Sequence, residues 1–224
     1  MKLLALDTAT ELCSAALCID GVCQTRECER ARGSGELILG MIEQLLAEAA
    51  LPLKDLDAIA FGCGPGAFTG VRLALAVAQG LALAVGLPLL PISDLRALAL
   101  RALSTPGAPA RALICQDARM GEVYWGCFER NGESVPPAPE AVTAPGAVRL
   151  PPHWRGEGVC GAGSGFEVYE ALSSRLELTS IWGHLRPRAL EVAQLGALDG
   201  LATAVPPDAA QPVYLRNDVA TPQS

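Results

Sequence analysis

The sequence predicts an α/β protein made of two related halves, and three observations carry that prediction. Short apolar strand-like runs alternate with stretches of helical periodicity, an order that favours a sheet covered by helices over separate layers. A strand ending in aspartate, a polar turn and a returning strand occur from Lys2 to Ile19 and again from Ala112 to Phe128. Between these units Thr105-Pro106-Gly107-Ala108-Pro109 reads as a boundary, so residues 1–105 and 106–224 are expected to form two domains. At 224 residues, half of them apolar, the chain is long enough to bury a sizeable core without cross-links.

The elements follow in order. Lys2 to Leu6 is a buried strand, Asp7 to Thr10 a polar turn, and Ser14 to Ile19 a return strand closed by Asp20-Gly21, after which a third strand runs from Val22 to Glu27. Ser34 offers an N-cap, Glu36 suits the first turn, and Leu37, Ile38, Met41, Ile42, Leu45, Leu46 and Ala49 recur at helical spacing until Pro52. Ala58 to Phe61 is a strand, Gly62 to Gly70 a glycine-rich turn, and Val71 to Val85 a helix stopped by Gly86 and Pro88. A strand near Leu89 to Ile92 leads to Ser93, which caps a helix through Leu103. In the second half Ala112 to Gln116 and Glu122 to Phe128 are strands around a turn that begins at Asp117. Val135 to Trp154 reads as an irregular, exposed connection, followed by a strand near Gly158 to Gly161, a Gly161 to Gly165 turn and two helical stretches.

Composition excludes several classes of function. A net charge of −7 with only two lysines, Lys2 and Lys54, argues against a surface that tracks phosphates, so any nucleic acid is expected to be held by a partner. Met1 to Leu6 is followed at once by Asp7, Thr8 and Glu11 rather than by a long apolar stretch, which points to a cytoplasmic chain without a signal peptide. Leu73 to Leu90 is the one run that suggests a membrane span, but Gln79, Gly80, Gly86 and Pro88 interrupt it. Cys13, Cys18, Cys23 and Cys28 recur at steps of five with no CxxC pair, a spacing that scatters thiols over both faces of a strand. All eight cysteines are therefore expected to be small, reduced hydrophobes.

The glycine-rich turn, Gly62-Cys63-Gly64-Pro65-Gly66-Ala67-Phe68-Thr69-Gly70-Val71-Arg72, carries the strongest chemical signal. A helix that starts after such a turn presents N–H groups suited to an anion, yet the lysine of a Walker-type loop is missing. Asp7 with Thr8 and Thr10, at the end of the first strand, has two readings. It holds a metal-bound phosphate as in duplicated α/β ATPases, or it accepts backbone N–H bonds in its turn, and the second is slightly favoured. Gly62 to Ala67 also fits the relaxed G-x-G-x-x-A dinucleotide pattern with Asp94 on a ribose, a weak match without a supporting feature. Neither His153 nor His184 has a ligand or nucleophile partner at suitable spacing, which leaves no triad, peptidase pair or metal site. The helix from Val71 to Val85 has only Arg72 and Gln79 as strongly polar residues, so either its own domain or a partner must cover it.

Four segments together resemble one family. Leu4-Ala5-Leu6-Asp7-Thr8-Ala9-Thr10-Glu11-Leu12-Cys13-Ser14, Gly64 to Arg72, Asp117-Ala118-Arg119-Met120-Gly121-Glu122-Val123-Tyr124-Trp125 and Pro212-Val213-Tyr214-Leu215-Arg216-Asn217 are similar, in order and across nearly the whole chain, to the TsaB (YeaZ) family of bacterial tRNA-modification proteins. The resemblance implies an actin-like, sugar-kinase-like ATPase fold with two related domains, the second reduced. It implies a non-catalytic scaffold that activates a TsaD-like subunit, with a TsaE-like ATPase, for threonylcarbamoyl transfer to the adenosine beside the anticodon. It further implies a homodimer when alone, tRNA contacted only through the complex, no membrane, and no cofactor in the isolated chain, with ATP or ADP in the complex. Asp7, Thr8, Thr10, Gly64, Gly66 and Gly70 then form a vestigial nucleotide or phosphate site, while Leu37, Met41, Ile42, Leu45, Leu73, Val77 and Leu81 form the docking face. Many relatives keep a histidine at the start of the first helix, where this chain has Gly33-Ser34-Gly35-Glu36, so no metal is expected there. The alternative is a stand-alone ATPase or small-molecule kinase of the same fold.

Overall fold

The computed structural model describes residues 1–29, 34–154 and 157–216. The first half consists of strands β1 (Lys2–Asp7), β2 (Leu12–Ile19) and β3 (Val22–Glu29), helix α1 (Ser34–Glu48), strand β4 (Ala58–Gly62), helix α2 (Phe68–Val85), strand β5 (Leu89–Ile92) and helix α3 (Asp94–Leu103). Asp20 and Gly21 both have positive φ, the two-residue turn that matches the twist of a hairpin, so β2 and β3 pair directly. Both β4 and β5 lie parallel to β1, which requires crossovers, and α1 and α2 supply them. With helices on both faces, β1 and β4 read as continuous apolar runs rather than alternating ones.

The second half repeats this plan. Strands β6 (Arg111–Arg119), β7 (Glu122–Glu129), β8 (Glu140–Thr143), β9 (Val159–Ala162) and β10 (Ser180–Trp182) form a sheet ordered β10-β9-β6-β7-β8, and the first sheet is ordered β3-β2-β1-β4-β5. Matched strand for strand, the two sheets share topology and direction: a chain of antiparallel pairings on one side of the central strand and a chain of parallel pairings on the other. The reduction lies in the helices. The short α4 (Gly165–Val168) and α5 (Glu170–Arg175) stand where the first half has the long α2.

The last helix of each half crosses over. Helix α3 packs on the second sheet, and α6 (Ala189–Asp199) packs on the first, so the two lie together between the sheets. Gly196 makes the close approach: a Cβ there would stand 3.1 Å from Leu3 and 3.3 Å from Ala60. Arg96 of α3 ties the pair, donating two bonds to Asp199 (2.6 and 2.8 Å) and one to the Val135 carbonyl. Helices α1 and α2 cover the outer face of the first sheet, and α4 and α5 cover that of the second. The layers are therefore helices, sheet, two shared helices, sheet, helices.

After α6 the chain returns to the first half. Val205 and Leu89 exchange backbone hydrogen bonds, Gln79 of α2 donates to the Pro207 carbonyl (2.7 Å), and Val213 donates to the Cys63 carbonyl (2.7 Å).

Several expectations need correction. The connection from Val135 to Trp154 is neither irregular nor exposed throughout, because it contains β8 and buries Val135, Val148 and Trp154. The three-residue β10 has too short an apolar run to register in the sequence. Helix α2 begins at Phe68, three residues before the predicted start. Helix α1 begins at Ser34, whose side chain, like residues 30–33 before it and Asn217, lies outside the described residues. The cysteines are not all reduced: Cys18 and Cys23 form a disulfide. The Asp20-Gly21 turn folds a spacing of five into a directly opposed pair, which the single-strand reading missed.

Candidate functional site

The site region is the cleft between the two lobes, a cavity of about 1170 Å³ at the C-terminal ends of the central strands β1 and β6. Its walls are the β1–β2 turn, the glycine-rich turn, the β6–β7 turn, the Ser164 turn and the chain from Val213 to Arg216.

The structure brings Asp7, Thr8, Thr10, Gly64, Gly66 and Gly70 together, but packs them against one another. Asp7 is fully buried and accepts a hydrogen bond from the Ala9 N–H (2.7 Å). Thr8 donates to the Gly70 carbonyl (2.7 Å), and Ala67 N–H donates to the Ala9 carbonyl (2.7 Å). A Cβ on Gly66 would lie 2.7 Å from the Ala9 carbonyl oxygen, and one on Gly70 would strike the Thr8 carbonyl. Gly66 and Gly70 serve backbone-to-backbone contact between two turns. Gly64 is closed from the other side, because its N–H donates to Asp94 and the Val213 carbonyl covers its α-carbon.

Asp94, which the sequence offered only as a ribose ligand, is instead the partner of Asp7. Both carboxyls are fully buried against Gly62, where an added Cβ would overlap Asp94 and come within 3.1 Å of the Asp7 carboxyl carbon. Burial, and next the charge of Asp7, pushes the Asp94 carboxyl well above the usual carboxylate range, with Glu140 adding to the effect. Burial also raises Asp7, while its Ala9 bond pulls the other way. Asp7 Oδ2 and Asp94 Oδ1 have no N–H or hydroxyl donor, and the upward shift of Asp94 favours one proton shared between the two carboxyls. The facing carboxyls join β1, the glycine turn and α3.

Much of the rest of the cleft wall is bonded internally, while the buried Gln116 Nε2 that lines it has no partner among the described residues. Thr10 Oγ1 accepts from Leu12 N–H (3.2 Å), Ser164 Oγ from Asp117 N–H (3.0 Å), and Asp117 from the Tyr169 hydroxyl (2.9 Å). Arg186 spans the cleft by donating to Glu11 of the first lobe (2.5 Å) and Glu167 of the second (2.7 Å). At the mouth, the Arg72 guanidinium lies 3.2 Å from the Phe68 ring centre and 4.8 Å from that of Tyr214. Arg216 then crosses to the other lobe, donating to Glu122 and to the Ala118 carbonyl (3.2 Å). Phe68 and Arg72 become neighbours only because α2 starts at Phe68, and the part of Tyr214, Arg186 and Arg216 depends on contacts distant in sequence.

The expected docking residues divide. Met41, Ile42 and Leu45 are core residues beneath α1, packed with Leu4, Leu6 and Leu17 of the sheet, and are corrected accordingly. Leu37, Leu73, Val77 and Leu81 are half-buried on the outward flanks of α1 and α2, which meet where Gly35 approaches Leu73. Leu39 and Leu83, exposed by 50% and 65%, and the exposed Ala76, Gly80 and Ala84 add apolar residues to the outer sides of these helices. By length and composition α2 is apolar enough to cross a membrane, and only 22% of it is buried. Both histidines are exposed, and among the described residues no group of histidine, cysteine, aspartate or glutamate is arranged to hold a metal.

Comparison with known proteins decides the family. A curated TsaB protein of Escherichia coli K12, described as a tRNA threonylcarbamoyladenosine biosynthesis protein, is 38% identical over 98% of this chain and 96% of its own length. The chain belongs to the TsaB family. The TsaB protein of Haemophilus influenzae is 48% identical over 56% of the chain and 52% of its own length. Residues 29–167 match the family model described as TsaD, tRNA N6-adenosine threonylcarbamoyltransferase. A solved YeaZ structure from Pseudomonas aeruginosa superimposes with a TM-score of 0.89 at 40% identity, covering 96% of this chain and 99% of that one. A second structure from the same organism, titled as an uncharacterised protein similar to the peptidase YEAZ, gives 0.90 at 40% identity. The TsaB chain thus shares its mixed α/β fold of two matching five-stranded sheets with the YeaZ structure.

Proposed function

We propose that this chain acts in tRNA threonylcarbamoyladenosine biosynthesis as a non-catalytic, activating subunit that docks a TsaD-like transferase through the outer faces of α1 and α2. The observation that carries this reading is the apolar surface of α2 beyond Arg72, where the outward residues Ala76, Val77, Gly80, Leu81, Leu83 and Ala84 include no charge. A monomer gains nothing by exposing such a face, and small residues along it allow a partner helix to come close. The mated turns around Asp7 support the non-catalytic half of the reading.

On this reading tRNA is reached only through the assembly, a TsaE-like ATPase joins it, and the same face makes a homodimer when the transferase is absent. The protein works in the cytoplasm without a membrane. Nucleotide, ATP or ADP, belongs to the complex and not to the isolated chain. Activation follows if docking favours one conformation of the transferase.

The test is threonylcarbamoylation of tRNA reconstituted from TsaD, TsaE and the adenylate-forming enzyme, with this chain present, absent or altered. Val77→Glu and Leu83→Glu should abolish co-elution with TsaD and reduce modification to the level without the chain. Asp7→Asn should leave modification unchanged. A stand-alone ATPase or kinase, which the cleft volume favours, predicts the reverse: heat on titration of the isolated chain with ATP and magnesium, and loss of activity in Asp7→Asn.

A further inference from the structure

The hairpin of β2 and β3 carries two opposed cysteine pairs that the docking role does not use. Cys18 faces Cys23 one step in from the pair Ile19 and Val22 that flanks the turn, and Cys13 faces Cys28 five steps further along. An odd offset puts the two pairs on opposite faces of the sheet and at opposite kinds of ladder site. Ile19 and Val22 close a two-residue turn and form a hydrogen-bonded pair, so Cys18 and Cys23 occupy the narrow, non-hydrogen-bonded site, with Cα atoms 4.1 Å apart. Cys13 and Cys28 occupy the wider kind and remain thiols. Geometry therefore selects one of the two pairs for bonding.

Access differs between the two bonded sulfurs' residues. Cys18 is 5% exposed in the core between the sheets, whereas Cys23 is half-buried on β3, the edge strand of its sheet. An edge strand lets a reagent approach from the side that lacks a neighbouring strand. In a compartment that keeps thiols reduced, a disulfide reached in this way is the exchangeable kind rather than a permanent staple.

We propose that Cys18 and Cys23 form a reversible dithiol/disulfide couple, exchanged with a small monothiol of the glutathione class through Cys23; the inference rests on the proposed function only for the cytoplasmic setting. The thiolate of the first monothiol attacks Cys23 Sγ, the Cys18–Cys23 bond breaks, and Cys18 leaves as a thiolate that takes up a proton. A second monothiol attacks the mixed disulfide at its own sulfur, which releases Cys23 as a thiol and one molecule of disulfide. The protein bond is reduced by two electrons and two monothiols are oxidised by the same two. Oxidation reverses each step and needs the monothiol's disulfide. The bond sets how tightly β3 is held, and β3 reaches α1 through the Arg26–Glu48 ion pair (2.5 Å).

The test equilibrates the full chain with glutathione and glutathione disulfide at a series of ratios, quenches with acid, and labels thiols before and after reduction with two distinguishable alkylating reagents. Peptide mass mapping should show Cys18 and Cys23 changing together, as a single two-electron transition within the range of the buffers. The oxidised chain should melt about 4–8 °C above the reduced one, and Cys23→Ser should lose both the transition and the difference while keeping the circular dichroism of the fold. Cys18 and Cys23 labelling as thiols in the most oxidising buffer would overturn the proposal, as would a bond that survives the most reducing one. The readout requires no transferase, so failure of the docking experiments leaves it unaffected, and its own failure leaves them standing.

Discussion

Asp94 carries the sharpest prediction at the scale of single residues. Its carboxyl titrates well above its unfolded value because burial and the facing Asp7 disfavour a second charge, with Glu140 facing Asp94 and Glu191 facing Asp7 adding to the repulsion. Folding therefore takes up a proton between the unfolded carboxylate pKa, about 3.9, and the raised folded-state value, so this contribution is complete below the former and is lost as pH rises toward the latter. A side-chain amide in place of this carboxyl would donate to Asp7 and accept from the Gly64 N–H without titrating. Asp94→Asn should then raise the melting temperature at pH 8 by about 2–4 °C, on the order of 1 kcal/mol, with the gain shrinking toward pH 4; an equal gain at both pH values would refute the shared proton. Gly70 makes the second case. Its missing Cβ is what lets the glycine turn lie on the Thr8 carbonyl, and neither backbone has a way to yield. Gly70→Ala should cost about 3 kcal/mol or more in urea unfolding, whereas Gly80→Ala, which meets open space on the exposed side of α2, should be neutral or slightly stabilising.

Among the elements, α1 shows how far helical periodicity reaches. The spacing of Ile38, Met41, Ile42 and Leu45 placed one apolar face correctly, but periodicity marks a face without saying whether sheet or partner covers it. Leu45 is fully buried, so Leu45→Ala should destabilise the isolated chain by about 2–5 kcal/mol in a denaturant titration. Leu83→Glu, at a position 65% exposed, should change stability by about 0.5 kcal/mol or less, which separates a docking residue from a core one without any partner present. The β2–β3 hairpin gives the opposite lesson. Asp20-Gly21 was legible as a turn, yet the consequence for Cys18 and Cys23 appears only when the two strands are laid side by side.

Across the whole molecule, the exchange of α3 and α6 joins two similar lobes into one body. Arg96 holds the exchange: it is nearly buried, and its three bonds reach both Asp199 and the Val135 carbonyl. Arg96→Ala would strand the Asp199 carboxylate and an unpaired carbonyl between the sheets, and should cost about 3–5 kcal/mol in thermal or denaturant unfolding. Loss of less than about 1 kcal/mol would mean that the helices are held by apolar packing alone. Arg186 and Arg216 add contacts between the lobes at the cleft.

The sequence by itself determined the α/β class, the repeated strand-aspartate-turn-strand unit, most elements of the first half and the family. All of these rest on local patterns: periodicity, turn residues and short motifs. It missed β8 and β10, because Glu140–Thr143 and Ser180–Trp182, unlike the equally short β5 and β9, are not continuous apolar runs and owe their place to neighbours in the sheet. Tertiary structure alone decided that Asp7 is buried against Asp94, that Met41, Ile42 and Leu45 belong to the core, and that two of eight cysteines are bonded. The physical reason is common to all three. Whether a carboxylate, a leucine or a thiol meets water, a partner or its own chain depends on what lies opposite it, and the opposing residues, from Asp94 near Asp7 to Leu17 beneath α1, are brought there by pairing and packing that no local spacing encodes.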